Sequence, residues 1–300
     1  MRPTAVIPAL CCAVALVLSF LCLFAGHKKG FMEDYHMLTL NTSQLGTNLL
    51  NSSILDSLPL PDDVRNVFDT VQDQFGDEVN DVVLQVADSL GVADFYSAHL
   101  LDYCWGDYVP TPLPNATVSS DAIHKNLTAC SPAKAMFYFN PNEIIERTLN
   151  ESGVDVTLDD LQWPDDIQTG IDALRIIQRT AFVLYCIAIA LIGISLLVSA
   201  AALFTSGRLS ACLNVMVSVL AFLAIGLASA LVTAVIVKGG DLINEYGDEI
   251  GLEAHKGSKF MAITWGATAA MLVALVDWCL ETCIGHRRRK HAYSGVPKHG

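Results

Sequence analysis

The chain has 300 residues, 52% of them hydrophobic, a mean hydropathy of +0.43 and only 16% charged residues. These values are high for a soluble protein. The net charge of −13 excludes nucleic-acid binding as a function, because neutralising phosphates needs a basic face. The acids are segregated: nearly all fall within 33–172 and 241–253, and elsewhere only Asp277 and Glu281 occur.

After a short polar end, residues 1–3, a first apolar run covers 4–25. Its length is enough to cross a hydrocarbon core. A cleaved signal peptide is the competing reading, but Leu23 and Phe24 break the small-residue pattern expected at a cleavage site. The run is therefore read as an uncleaved anchor. Three more apolar runs follow at 181–204, 211–237 and 260–284, each without a charge in its first fifteen residues. Residues 205–210 form a tight polar turn, 238–259 a longer acidic loop, and 285–300 a basic tail.

Residues 26–180 form a large polar segment with five Asn-x-Ser/Thr triplets, at Asn41, Asn51, Asn115, Asn126 and Asn150. Their confinement to this segment predicts an extracellular, N-glycosylated domain. The amino end, the 205–210 turn and the tail hold seven Lys/Arg and no acid. Positive-inside asymmetry then places both termini in the cytosol. The expected fold is an α-helical membrane protein with four transmembrane helices in a bundle. Its ectodomain is expected to be mainly helical, disulfide-pinned, with a small β-sheet.

Within the ectodomain, Tyr35–Leu40 has strand-like alternation. Pro61-Asp62-Asp63 opens a helix whose valine-rich stripe runs from Val64 to Leu90. That stripe serves either the domain core or a partner helix. Lys134–Asn140 is the best strand candidate, ending at Pro141, and residues 143–149 and 159–178 look helical. Cys104 and Cys130 are the only two cysteines of the segment, which in an oxidising compartment gives one connectivity. Closing that loop is worth about 3.5 kcal/mol on the chain-entropy model; two buried free thiols are the alternative.

The remaining cysteines lie in the apolar runs without metal-ligand spacing to histidine. Cys279 and Cys283 stand one turn apart beside the basic tail, a setting that suits S-palmitoylation as well as ordinary apolar packing. Asp277 and Glu281 are the only acids in a span; such groups mark ion paths by default, but their place near the cytosolic end equally fits interfacial pairing with Arg208 or Arg287. Small residues such as Ala188, Gly193, Ser199, Ala224, Ala228, Ala230 and Ala269 suit close helix approach and lateral association. No nucleophile, base and orienter arrangement and no phosphate-binding glycine loop is recognisable, so the reading is non-enzymatic, without catalytic, cofactor or metal residues. His27, His36, His99, His124 and His255 are expected to face outward, where imidazoles serve either as sensors of external pH or as ordinary scattered surface residues.

One block, residues 94–108, ties these features together and is read as a hinge between the valine-striped helix and the glycosylated loop. It contains Asp94, Phe95, Tyr96, Ser97, His99, Leu100, Leu101, Asp102, Tyr103 and Cys104, then Trp105 and Gly106. With Leu40-Asn41-Thr42-Ser43 after the first span and Phe137–Pro141 after Cys130, it resembles the fungal tetraspan family of cortical-patch (eisosome) proteins and PalI pH-response regulators. Trp105 departs from the small or acidic residue the resemblance implies. The resemblance implies a claudin-like plan, a plasma-membrane location, and roles in membrane organisation, endocytosis, cell-wall integrity or ambient pH signalling. The expected partners are the lipid bilayer, the protein itself or other membrane proteins in lateral association, and the cell wall or a cortical scaffold. An accessory or sensor subunit in pH or ion response is the alternative.

Overall fold

The structure, a computed structural model, describes residues 5–45, 92–109, 124–152, 165–204, 208–247 and 251–294. The chain divides into two compact units, one of residues 1–24, 180–232 and 260–300, the other of residues 25–179 and 233–259.

The first unit is built on helix α1 (Val6–Phe24) and on much of three long helices, α3 (Asp165–Ala202), α4 (Arg208–Gly247) and α5 (Ser258–Ser294). Each of the four is long and apolar enough to cross a membrane. Their outward side chains are large and apolar, including Leu10, Val17, Leu197, Met216, Leu227 and Val273. Ala15, Ala188, Ala228 and Ala267 lie inside. This is the inverse of a soluble bundle and suits helices whose solvent is lipid.

Hydrogen bonds then hold the helices together. Ser229 Oγ lies 2.8 Å from Thr264 Oγ1 and 2.9 Å from Thr268 Oγ1, and the Tyr185 hydroxyl also meets Thr264. Ser195 lies 3.1 Å from Ser218, and Trp278 Nε1 donates to Ser199 Oγ at 3.3 Å.

In the second unit a five-stranded antiparallel sheet has the order β4-β3-β2-β1-β5. The strands are β1 (Leu38–Asn41), β2 (Phe95–Ala98), β3 (Tyr103–Val109), β4 (His124–Cys130) and β5 (Glu253–Lys256). One face packs Leu38, Leu40, Tyr96, Ala98 and Tyr103 against Ile144 and Ile145 of helix α2 (Pro141–Ser152) and against Ile171 of α3 and Ile243 of α4. The other face carries Phe95, Cys104, Tyr108 and Leu127. Strand periodicity explains the split, because successive side chains point to opposite faces. Helices α3 and α4 supply both units. At about 1.5 Å per residue, 33 residues of α3 extend roughly 50 Å, well beyond a hydrocarbon core of about 30 Å.

Three local expectations change. Lys134–Asn140 is not a strand: it runs as a turn and irregular extended chain, because Met136 takes a positive φ of 57° that breaks the pleat. Its backbone groups bond elsewhere, Lys134 N–H to the Leu101 carbonyl at 2.8 Å and Phe139 N–H to Gln178 Oε1 at 3.2 Å. The 238–259 stretch is not simply a loop. Helix α4 continues through it to Gly247, and β5 joins the sheet beside β1. The stretch 94–108 is a hairpin in the sheet rather than a hinge. The valine-striped helix expected over 61–90 lies outside the described residues.

Gly106 sits where β3 slips register against β4, and a Cβ there would lie 2.1 Å from the Asn126 carbonyl oxygen. Only a residue without a side chain lets the strands approach so closely. Gly106→Ala is expected to cost about 2–3 kcal/mol, seen as a lowered melting temperature of the full chain in detergent. Gly193→Ala, where an added Cβ meets nothing within 4 Å, is expected to lose nothing in the same assay.

Candidate functional site

The β2–β3 hairpin holds the block from Asp94 to Gly106, and several of its side chains have an identifiable structural task. Asp94 Oδ2 accepts the Tyr108 N–H at 2.9 Å, closing the open end of the hairpin. The Asp94 carbonyl takes the Thr42 N–H from beyond β1. Phe95 and Tyr108 pack ring to ring at 5.1 Å on one face. On the other, Tyr103 lies 6.3 Å from Tyr96, 5.5 Å from Trp105 and 6.1 Å from Phe137. Arg147 of α2 donates to the Tyr103 hydroxyl and lies over its ring. Ser97 lies 3.1 Å from Thr39 Oγ1, itself a hydrogen-bond partner of Lys125.

Cys104 and Cys130 form a disulfide. They stand directly opposite each other in the β3–β4 register, so the bond locks strands that the sheet already pairs. The Cys104 sulfur also lies 3.5 Å from the Gly26 carbonyl. Trp105 is half-buried in β3, its ring tilted 36° to that of Tyr103, and leaves the local pairing with Tyr96 intact.

The closed end of the hairpin is the unusual place. His99 and Asp102 flank Leu100 and Leu101, and the His99 N–H donates to the Asp102 carbonyl at 2.9 Å. Both side chains are completely buried. Neither His99 ring nitrogen and neither Asp102 carboxylate oxygen has a hydrogen-bond partner among the described residues. The imidazole packs on Gly26, whose φ is +78° and where a Cβ would come within 2.3 Å of the ring. His36 lies edge-on at 6.4 Å. Burial lowers the His99 pKa to about 3 and the His36 pKa to about 4, and it raises that of the Asp102 carboxyl to about 6.

Of the other sequence-derived residues, Asn41 and Asn126 lie on strands paired with this hairpin, opposite Phe95 and Asp107. Asn126 and Asn150 are exposed, while Asn41 is half-buried in β1 with its Oδ1 accepting from Ser43 at 2.7 Å. Asn51 and Asn115 lie outside the described residues. Cys279 and Cys283 are exposed free thiols on α5. Asp277 and Glu281 are half-buried on the same helix, and the side chains of Arg208 and Arg287 lie outside the described set. Among the described residues no group of three or more His, Cys, Asp or Glu is placed to hold a metal ion.

Sequence reasoning missed Gly26, whose signal was only a glycine following an apolar run. It also missed Gln178, buried at 3% exposure among apolar neighbours, and the pairing of Arg175 and Arg179 over the Tyr138 ring.

The chain matches the SUR7/PalI family over residues 4–276. Among characterised proteins it is similar to a fission yeast (Schizosaccharomyces pombe) protein described as SUR7 family protein pun1, with 25% identity over 207 residues. That alignment covers 64% of this chain, and the chain spans about 65% of that relative's length. No solved structure matches.

The buried pair gives the fold a distinctive pH response. Asp102 has a folded pKa above its ordinary 3.8, so its carboxyl is fully accommodated below about pH 4 and stability is lost as pH rises through about 6. The two histidines act oppositely: their folded values lie below 6.5, so stability is lost as pH falls from about 6.5 toward 4. Asp102→Asn is therefore expected to raise the melting temperature at pH 7.5, by on the order of 2 kcal/mol in stability. The gain should vanish at pH 4. Thermal melts of both proteins across that range measure it directly.

Proposed function

The chain belongs to the SUR7/PalI family, and from that membership we propose that it is a non-enzymatic organiser of cortical domains in the plasma membrane. In this reading both termini are cytosolic, and the sheet-bearing unit faces the cell wall. The four-helix unit associates laterally with copies of itself or with other membrane proteins. Endocytosis and cell-wall integrity are the processes such domains would serve.

The observation that supports this best is where the molecule spends its unusual residues. The block from Asp94 to Gly106 is used to build and lock a sheet, through the Cys104–Cys130 bond, the Tyr103 cluster and the Gly106 approach. Chemistry is absent from this assignment; shape is what it maintains. On the helices, Ala230 and Ala269 are exposed small residues, and Gly193 has open space where a Cβ would stand. Smooth patches of this kind let another helix come close.

A second reading, an accessory or sensor subunit in ambient pH or ion response, is favoured by one feature. Asp277 Oδ2 is buried on α5 without a hydrogen-bond partner among the described residues, and carboxylates in spans are costly to keep. Replacing Asp277 and Glu281 by their amides and finding unchanged signalling and ion flux would remove it.

The organiser reading is tested by imaging the full chain with a fluorescent tag beside a marker of cortical membrane domains. Immobile patches coincident with the marker are expected. An even, freely diffusing distribution, or retention inside the cell, would overturn the proposal. Cys104→Ser combined with Cys130→Ser is expected to deplete the patches several-fold, because removing a native disulfide typically costs about 2–5 kcal/mol.

A further inference from the structure

A small cavity lies beneath the sheet, with a volume of about 30 Å³. Its walls come from Leu38 and Ala98 of the sheet, Ile171 and Leu174 of α3, and Val235 and Leu242 of α4. Into this apolar wall the protein places one amide, Gln178. Its Oε1 accepts the Phe139 N–H at 3.2 Å, but its Nε2 is buried and has no partner among the described residues. The side chain is only 3% exposed. A buried donor left without an acceptor is costly, so this amide is suited to meet an oxygen that the described residues do not supply.

The position of the cavity along the helices says where that oxygen comes from. On α3, Arg179 is the last charge before an uninterrupted apolar run that begins at Ala181. On α4, Val235 and Gly239 bracket Lys238, the first charge after the apolar run ends. Both helices therefore carry the cavity at their border between apolar and polar sequence, the depth at which lipid glycerol and ester groups sit. Positive charge stands one helical turn away. Arg175 and Arg179 lie with their guanidinium carbons 4.6 and 5.0 Å from the centroid of the Tyr138 ring. The ring's hydroxyl donates to Glu143 at 2.7 Å, which occupies the nearby carboxylate. Neither arginine has a carboxylate at ion-pair distance among the described residues.

We propose that this is a glycerophospholipid site: the cavity takes the carbonyl end of one acyl chain, Gln178 Nε2 donates to the ester carbonyl, and Arg175 and Arg179 hold the phosphate. The volume suits a few carbon atoms rather than a whole lipid, so the rest of the chain follows the helix surface. Charge selects the ligand, since the paired guanidiniums complement a phosphate and a sterol hydroxyl would leave them unused. The site goes beyond membrane organisation and stands whether or not the protein gathers in patches.

The test uses the full chain reconstituted in phosphatidylcholine nanodiscs doped with phosphatidylcholine that carries a photoreactive group near the ester. After illumination, adducts are mapped by mass spectrometry. Labelling is expected within 171–178 and 235–243, falling about five-fold in Gln178→Leu, the effect of one lost hydrogen bond of about 1 kcal/mol. Val235→Trp, which fills the cavity, and the Arg175→Gln, Arg179→Gln double variant should reduce it similarly. Adducts on the outward-facing Phe204 and Leu213, at the opposite border of the apolar runs, report that each variant is inserted and folded, and these should not change. Cavity labelling that persists at full strength in all three variants would overturn the site. Equally strong labelling by a photoreactive sterol, insensitive to the arginine changes, would overturn the phospholipid assignment.

Discussion

A five-stranded sheet with one apolar face cannot remain bare in water, and the way that face is covered governs the architecture of the second unit. The cover is not a separate domain. It is made from α2 and from the ends of α3 and α4, helices whose other ends are apolar enough to cross a membrane. Because a spanning helix is already held in its helical form by the lack of water in the bilayer, its extension is a ready-made stiff surface. Leu38, Leu40, Tyr96 and Ala98 need only alternate correctly to use it.

The opposite face has no helix to cover it in the described residues, and it is held by different means. Here the disulfide, the Phe95–Tyr108 ring pair and the close strand approach at Gly106 replace a large apolar cluster. Small cores of this kind need covalent help. The cost of the arrangement shows at the hairpin tip, where the side chains of His99 and Asp102 are buried without hydrogen-bond partners among the described residues, the imidazole against Gly26. Both are kept neutral by desolvation over part of the pH range, which is cheaper than burying the charged forms.

The spans were legible because hydropathy over twenty residues is a strong, additive signal, and the cysteine pairing because only one partner existed. The sheet was mostly illegible, for specific reasons. Lys134–Asn140 has the aromatic content of a strand, but a single residue at positive φ, Met136, ends it. Glu253–Lys256 has none of that content, yet it pairs, because Asn244 on α4 donates to the Ala254 carbonyl at 3.1 Å and accepts its N–H at 2.6 Å. A tertiary clamp of that sort leaves no trace in local composition. In the candidate lipid site the same limit applies: Gln178 reads as one polar residue at the start of a span, and only packing shows its amide facing apolar walls.

The sheet's two edges bear on how copies of this protein meet. An open edge strand invites pairing with another chain. Here β5 is four residues long, exposes Glu253, His255 and Lys256, and has the backbone of Ala254 occupied by Asn244. On the other side β4 exposes His124, Lys125, Asn126 and Thr128. Short length, charge and an amide clamp are the usual means of blunting an edge. Strand addition is thereby disfavoured at both ends of the sheet. The lateral association proposed for this protein falls instead to the helical faces, where Gly193, Ala230 and Ala269 allow close approach and lipid, not water, is what a partner must displace.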